Sequence, residues 1–241
     1  MTDDLPAEEL SAALDAVVAD LLAAAGVGGP PVDALALAER HVGFVIRREP
    51  GGGRSRRRAA GPVTVAVDPD AALEAQQWAA ARAIGAHLAP EVVRRLGLDP
   101  DAARRAGLGT PLAGRVLVPT AWFAADAAAC DYDLLSLKER YATAGYELLA
   151  DRWLDLPEPC VVTVLDDGRV MRRRSNARRV NKRPSSAEER CGRLVTSSGR
   201  PRTVLLGGCS VRGWPVPTPH GPRVILRSTV DEDALGEQAN D

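Results

Sequence analysis

The sequence predicts an α+β fold, with a mostly helical N-terminal domain over residues 1–156 and a small β-rich module over residues 157–241. In the first part, apolar residues recur mainly at the spacing of amphipathic helices. After Pro157-Glu-Pro159 they come in short runs typical of strands, and Asp166-Asp-Gly168 is typical of a hairpin turn. The sequence contains no internal repeat, and we therefore expect two successive parts of different architecture.

Composition and charge exclude several classes of protein. The 241 residues include 31 basic and 32 acidic side chains, and the resulting net charge of −1 gives no overall attraction to nucleic acid or anionic lipid. No apolar run is long enough to span a membrane, and the acidic Met1-Thr-Asp-Asp start lacks the order of a signal peptide. We therefore expect a cytoplasmic protein with no membrane partner.

The four cysteines lie far apart in the sequence. They are Cys130, Cys160, Cys191 and Cys209. No two of them have the Cys-x-x-Cys spacing that is typical of zinc and redox sites. We expect reduced, mostly buried thiols. A four-cysteine zinc site would require that the fold bring all four residues together.

Two helices and two strands are predicted at the start of the chain. Residues 7–25 carry leucine and valine at helical spacing, and a shorter helix follows at about 33–41 with Asp33 as its N-cap. Strands are predicted at 41–47 and 63–67. They are expected to form a hairpin around a flexible basic loop, Gly51-Gly-Gly-Arg-Ser-Arg-Arg-Arg58.

Proline and glycine divide the next stretch. The sequence predicts a helix over 71–89, capped by Asp68-Pro-Asp70, and a separate helical segment that begins at Pro90. Residues 97–111 are rich in glycine, proline and alanine, with room for one short helix at about 100–106.

Two short helices are predicted at about 132–140 and 145–154, joined by the turn Tyr141-Ala-Thr-Ala144. Such a pair is compatible with a helix-turn-helix that binds DNA. Packing is the favoured interpretation, because the helices are rich in leucine and their charges are mixed, whereas a recognition helix normally has a positive excess.

The strongest local charge lies in the segment 169–202, which holds twelve basic residues and two acidic ones. This composition is suited to nucleic acid or to an acidic partner. A solvated loop paired with acidic residues such as Asp166 and Asp167 explains it equally well, and the segment lacks aromatic residues for base stacking. The candidate contact residues are Arg172, Arg173, Arg174, Arg178, Arg179, Lys182 and Arg183.

Several segments together resemble the ImmA/IrrE family of zinc metallopeptidases. Glu74-Ala-Gln-Gln-Trp-Ala-Ala-Ala-Arg-Ala-Ile-Gly-Ala-His87 is similar to the family's Phe-x-x-Ala-His-Glu-Leu-Gly-His segment. Gly114-Arg-Val-Leu-Val-Pro119 is similar to its Ala-x-Leu-Leu-Met-Pro segment, and 137–144 with 147–152 resembles the helix pair that follows. The resemblance covers about 30–156 and implies a metallopeptidase-like, zincin-type N-terminal domain.

The residues that carry the family's chemistry are replaced. Arg82, Ala83 and Ala86 stand where the first zinc-binding histidine, the catalytic glutamate and the second histidine are expected. The resemblance places a third ligand, a glutamate, near Leu108, and no acidic residue lies there. His87 is one residue beyond the second ligand position and is the one residual candidate ligand, although a polar residue at a helix end explains it more simply.

These substitutions indicate a catalytically inactive pseudopeptidase. Catalytic zinc needs about three protein ligands, and the arginine cation at position 82 would repel the metal. The expected role is regulatory binding of a protein partner without a cofactor. The resemblance implies a repressor-type transcriptional regulator as that partner. Two alternatives remain: an active zinc endopeptidase with a displaced site that uses His87 with Glu74 or Glu91, and a DNA-binding regulator that uses the segment 169–202.

Overall fold

The computed structural model describes residues 6–52, 55–57, 61–99, 107–218 and 221–230. Within these ranges the chain contains α-helices and a five-stranded antiparallel sheet, so the predicted α+β class is confirmed. No helix in the described ranges has both the length and the apolar character needed to cross a membrane. The predicted short helix at 100–106 lies outside the described residues.

The chain forms two compact units. The first unit comprises the residues up to Tyr132 together with Ser136–Gly145, and the second comprises Asp133–Leu135 together with the residues from Tyr146 onward. The boundary predicted from the sequence lies between residues 156 and 157. In the structure, the continuous part of the second unit begins at Tyr146, eleven residues before residue 157.

The first unit is mainly helical. Helix α1 (Ala7–Ala24) has one buried face, as the spacing of its leucine and valine residues predicts. This face consists of Leu14, Val17, Val18 and Leu22. Helix α2 (Ala34–Arg40) begins at the predicted N-cap, where a side-chain oxygen of Asp33 accepts a hydrogen bond from the Ala36 N–H at 3.0 Å.

The small sheet of the first unit differs from the predicted hairpin. Its strands are β1 (Val45–Arg48), β2 (Ser55–Arg57) and β3 (Val63–Val67), in the order β1-β3-β2. Strand β2 lies inside the segment predicted as a flexible loop and is antiparallel to β3, whereas β1 is parallel to β3. The hairpin prediction was therefore wrong, because the inserted strand reverses the chain once more before β3.

Helix α3 (Leu73–Arg95) continues through Pro90 without a break, so the predicted division into two helices was also wrong. Ala89, Val92 and Val93, on either side of the proline, are buried, and burial of this face offsets the one hydrogen bond that proline cannot donate. The predicted cap by Asp68-Pro-Asp70 is absent, since the N-cap residue is Ala72 and has no side-chain hydrogen bond. Asp68 accepts hydrogen bonds from the Asp70 and Gly51 N–H groups, each at 3.0 Å.

Three further helices follow in the described part of the chain: α4 (Gly109–Leu117), α5 (Thr120–Ala129) and α6 (Leu134–Arg140). Residues 114–119, which comprise the end of α4 and the two residues that follow it, are buried. Helix α7 (Tyr146–Arg152) and a 3-10 turn (Trp153–Asp155) complete the predicted helix pair. Leu134, Leu137 and Leu149 are buried, as the packing interpretation expects.

The second unit is built on a five-stranded antiparallel sheet. The strands are β4 (Val161–Asp166), β5 (Arg169–Ser175), β6 (Arg202–Leu206), β7 (Cys209–Val216) and β8 (Arg223–Val230), in the order β5-β4-β8-β7-β6. The predicted hairpin turn is confirmed: Asp167 and Gly168 both have positive φ, 47° and 74°, as a two-residue turn between twisted strands requires.

Helix α8 (Ser186–Ser198), which was not predicted from the sequence, covers one face of this sheet. Its buried residues Ala187, Cys191 and Val195 contribute to an apolar core with residues of the strands, including Leu165, Val211 and Leu226. On the other side of the unit, the Trp153 and Trp214 rings lie 5.5 Å apart. Asp133 accepts hydrogen bonds from Trp214 Nε1 at 3.0 Å and from Arg212 at 2.8 Å.

Candidate functional site

Helix α3 carries the positions at which the resemblance expects zinc ligands. The Arg82 and Ala86 side chains are exposed, whereas Ala83 is buried with 4% of its surface exposed. None of these three side chains offers a lone pair that binds a divalent ion, since a guanidinium only donates hydrogen bonds. The residues at these positions do not fit a zinc ion.

The residues named for a displaced site are also engaged elsewhere. The exposed His87 ring meets the edge of Phe44, with ring centroids 5.5 Å apart at 90°. Glu74 forms an ion pair with Lys138 at 3.0 Å. Glu91 pairs with Arg94 and Arg95, and their hydrogen bonds lower its pKa to about 2. Within the described ranges, no three histidine, cysteine or acidic side chains are grouped as a metal site.

A close contact between helices lies beside these positions. A Cβ atom added at Gly85 of α3 would lie 2.2 Å from the Gly109 carbonyl oxygen and 3.0 Å from the Ala113 nitrogen. A Cβ atom at Gly109 would in turn meet Ala86 backbone atoms at 3.4 Å. The two glycines therefore allow α3 and the start of α4 to approach backbone to backbone.

The cysteines form no centre of reactivity. All four are free thiols, with Cys160 and Cys191 buried and Cys130 and Cys209 partly exposed. Burial raises the pKa of Cys191 to about 11 and also raises that of Cys160. Both thiols are therefore protonated at neutral pH, and a protonated thiol is a poor nucleophile and metal ligand.

The basic segment 169–202 does not form one surface loop. It contains β5, a connecting segment over 176–185, and α8, and its candidate residues divide into two groups by their surroundings. Arg172 and Arg173 on β5 are paired with carboxylates. We call residues 176–185 the cationic loop, since they carry the remaining cluster of basic side chains.

Arg172 is held by acidic residues of α7. Its guanidinium lies 2.8 Å from Asp151 and 3.5 Å from Glu147. Burial raises the pKa of Asp151 despite the opposing attraction of Arg172 and Arg174. Arg174 is exposed, but its charge also interacts with the Asp151 carboxylate. Because Asp151 attracts both arginines, neither is a good candidate for binding a ligand.

Arg173 belongs to a buried network around Glu188. The Glu188 carboxylate is fully buried and accepts hydrogen bonds from Arg173 at 2.9 and 3.1 Å, from the Thr163 hydroxyl at 2.6 Å and from the Ser185 N–H at 2.7 Å. Burial acts to raise the pKa of Glu188, but the hydrogen bonds outweigh it and the net shift is downward. The Ser185 hydroxyl accepts from the Glu188 N–H, which completes a capping box for α8.

The cationic loop differs from these paired residues. Arg178, Arg179, Lys182 and Arg183 are exposed, and within the part of the chain that the structure describes none of them forms an ion pair. Asp166, one of the partners expected for the basic segment, instead accepts hydrogen bonds from Arg223 at 2.5 and 2.7 Å. Four cationic side chains within six residues are therefore available to a ligand.

A small open cleft of about 80 Å³ adjoins the cationic loop. It is lined by Arg178 of the loop, by Ser185 at the start of α8, and by Ser228 and Thr229 near the end of β8. The Ser228 hydroxyl is buried without a hydrogen-bond partner. The Arg173–Glu188 ion pair also lines this cleft. The lining thus combines one unpaired cation, one ion pair and hydroxyl groups.

The sequence identifies the basic residues, but it does not show which of them are paired with carboxylates and which are exposed without an ion pair. The one sequence signal for the buried network is Ser185-Ser-Ala-Glu188, which has the spacing of a capping box. It indicates that a helix begins at 186 and that Glu188 is tied to its N-terminus. The pairing of Glu188 with Arg173 depends on the register of β5 and could not be inferred from spacing.

The sequence matches no family model and no curated protein. Among solved structures, a Mycobacterium tuberculosis transcriptional regulator is similar to this chain, with a TM-score of 0.59 and 19% sequence identity. The similarity covers 90% of this chain and 75% of that one. At this level of identity the likeness shows a shared fold.

Proposed function

We propose that this protein is a regulatory protein that acts by binding, on a zincin-type scaffold similar to the ImmA/IrrE family and without peptidase activity. The observation that carries this proposal is the set of side chains at the ligand positions. Arg82, Ala83 and Ala86 provide neither metal ligands nor a general base. A regulatory role is supported by the fold shared with the Mycobacterium tuberculosis transcriptional regulator over 90% of this chain.

The proposed partner is a repressor-type transcriptional regulator or nucleic acid, and the structure favours an acidic ligand. The basic side chains of the cationic loop are exposed and unpaired among the described residues, whereas the arginines of β5 are held by carboxylates. A basic side chain without an ion pair can bind a phosphate or carboxylate of the ligand without first breaking an existing ion pair. Its electrostatic attraction to the ligand is therefore not offset by such a loss.

We expect protein purified without a histidine tag to contain far less than one zinc ion per chain. The reason is that the candidate ligands on α3 are absent and that Glu74 and Glu91 are paired with basic residues. Elemental analysis by mass spectrometry after gel filtration measures the zinc content. Stoichiometric zinc, together with peptide hydrolysis that chelators abolish, would contradict the proposal and favour the displaced-site peptidase.

A second candidate function is direct binding of DNA through the cationic loop, which the four exposed cations specifically favour. We expect Arg178→Ala with Arg179→Ala to weaken binding to duplex DNA and to reduce the salt slope, the change in log K per unit log salt, by about 2. Fluorescence anisotropy between about 50 and 200 mM salt measures both quantities.

The matched control removes the same charge elsewhere. Arg47 and Arg48 are exposed on β1 of the first unit, and their replacement by alanine changes the net charge equally. We expect the control variant to keep the salt slope of the unaltered protein. An equal loss in both variants would assign the binding to net charge, and salt-independent or absent binding would remove the DNA-binding candidate.

A further inference from the structure

Helix α8 begins at the wall of the small cleft beside the cationic loop. Ser185, which is its N-cap, and Glu188 in its first turn both line the cleft. The capping box occupies the N–H groups of these two residues, and the N–H groups of Ser186 and Ala187 have no acceptor within the helix. Because the dipole and the N–H groups at a helix N-terminus favour anions, the cleft is well placed for a negatively charged group.

The Ser228 hydroxyl is a second, independent indication of a ligand. Ser228 pairs with Val161 of β4 and Val211 of β7, and Val211 belongs to the core beneath α8, so Ser228 lies on the face of the sheet that α8 covers. The residue is only 8% exposed and lines the cleft, and its Oγ atom is buried without a hydrogen-bond partner among the described residues. A buried hydroxyl without a partner is unfavourable, and an acceptor in the cleft removes this cost.

Arg178 lines the same cleft, and the chain on both sides of it is anchored. Two residues before it, the Asn176 side chain forms three hydrogen bonds of 2.8–2.9 Å with backbone groups of residues 156–160. Three residues after it, the Asn181 carbonyl oxygen accepts a hydrogen bond from Arg173 at 3.0 Å. The backbone therefore holds Arg178 beside the cleft, which lowers the entropy that this residue loses when it binds a ligand.

The Glu188 carboxylate also lines the cleft, but it does not cancel the charge of Arg178. One of its oxygens accepts hydrogen bonds from Arg173 and Thr163, and the other accepts from Arg173 and the Ser185 N–H. Arg173 balances the charge of Glu188 in this buried pair. The lining holds two arginines and one carboxylate, so its net charge is +1.

We propose that this cleft binds a single phosphate group, either free or carried by a larger ligand. Arg178 donates charge-assisted hydrogen bonds to the phosphate oxygens, and the Ser228 hydroxyl donates one more. The cleft of about 80 Å³ is much smaller than the roughly 300–1,000 Å³ of sites that enclose a whole small molecule, so it is suited to one small anionic group. This inference does not depend on the regulatory partner of the proposed function.

Titration calorimetry of the full chain with inorganic phosphate, at constant ionic strength, tests the site. We expect saturable binding that Arg178→Ala weakens about tenfold, because hydrogen bonds to charged groups are the stronger class. Arg179→Ala is the matched control, since it removes the same charge from an exposed neighbour that does not line the cleft. We expect this control to change the affinity less than about twofold. Equal weakening by both variants, or no saturable binding, overturns the proposal.

Ser228→Ala separates a ligand contact from a structural role. The substitution removes a buried hydroxyl without a described partner, so we expect no loss of thermal stability in buffer without phosphate. We expect its phosphate affinity to fall about fivefold, and phosphate to raise its melting temperature less than that of the unaltered protein. An unchanged phosphate affinity in this variant overturns the proposal.

A DNA duplex of about 20 base pairs distinguishes the two sources of the phosphate group. A larger loss of duplex affinity in Arg178→Ala than in Arg179→Ala supports a backbone phosphate in the cleft. Binding of inorganic phosphate without duplex binding supports the inference and rejects the DNA-binding candidate of the proposed function. Equal losses of duplex affinity in both variants, without binding of inorganic phosphate, overturn the inference and retain the DNA-binding candidate.

Discussion

Replacing Gly85 with alanine is expected to lower the free energy of unfolding by about 3 kcal/mol, because the added methyl group has no space. Its carbon would lie 2.2 Å from the Gly109 carbonyl oxygen and 3.0 Å from the Ala113 nitrogen, both of which are backbone atoms of α4. The better helix propensity of alanine, worth about 1 kcal/mol, acts in the opposite direction but is smaller.

Urea unfolding monitored by circular dichroism measures this loss, with Gly28→Ala as the matched control. Nothing lies within 4 Å of a Cβ atom added at Gly28, so the same chemical change is sterically neutral there. We expect the control to change the free energy of unfolding by less than about 1 kcal/mol. Equal stability of the two variants would contradict the close contact between the backbones of α3 and α4.

Replacing Glu188 with alanine is expected to cost about 3–5 kcal/mol, the other large effect in this molecule. The Arg173 side chain is only 10% exposed, so loss of the carboxylate leaves a buried guanidinium without its counter-charge. The Thr163 hydroxyl and the Ser185 N–H also lose their acceptor. Replacing both charged residues, Arg173→Met with Glu188→Leu, should recover much of the loss because no unpaired charge remains.

The same network predicts a dependence of stability on pH. The folded-state pKa of Glu188 lies below its ordinary value of 4.5, so the carboxylate contributes stability that is fully present above that value. This stability is lost as the pH falls through the lower, folded-state pKa. Urea unfolding of the unaltered protein and of the double variant at pH 7 and at about pH 3 measures the difference. A stability gap that stays constant with pH would contradict the assigned ion pair.

Local signals in the sequence predicted much of the fold. The spacing of leucine and valine placed α1, and the Asp166-Asp-Gly168 turn placed the β4–β5 hairpin, because both depend on residues that are close in sequence. Strand β2 was missed since its Ser-Arg-Arg sequence has none of the β-branched or aromatic residues typical of strands. Helix α8 was missed because its many charged residues obscure the apolar spacing of Ala187, Cys191 and Val195.

The candidate site could be predicted only in part for a related reason. Arg172, Arg173 and Arg178 look alike in the sequence, as members of one basic segment. Whether each is paired depends on residues far along the chain, namely Asp151 on α7 and Glu188 on α8. Local charge density therefore identifies a basic segment, but only the fold separates the arginines that are paired with carboxylates from those that are exposed and without an ion pair among the described residues.

The division of the chain between its two units has a practical consequence for experiments with fragments. The second unit includes Asp133, which binds Arg212 and Trp214, although most of α6 belongs to the first unit. A C-terminal fragment cut at Pro157 would also lose Trp153, the ring partner of Trp214. No single cut yields two intact halves, so activities of this protein are better assigned by point substitution in the whole chain than by truncation.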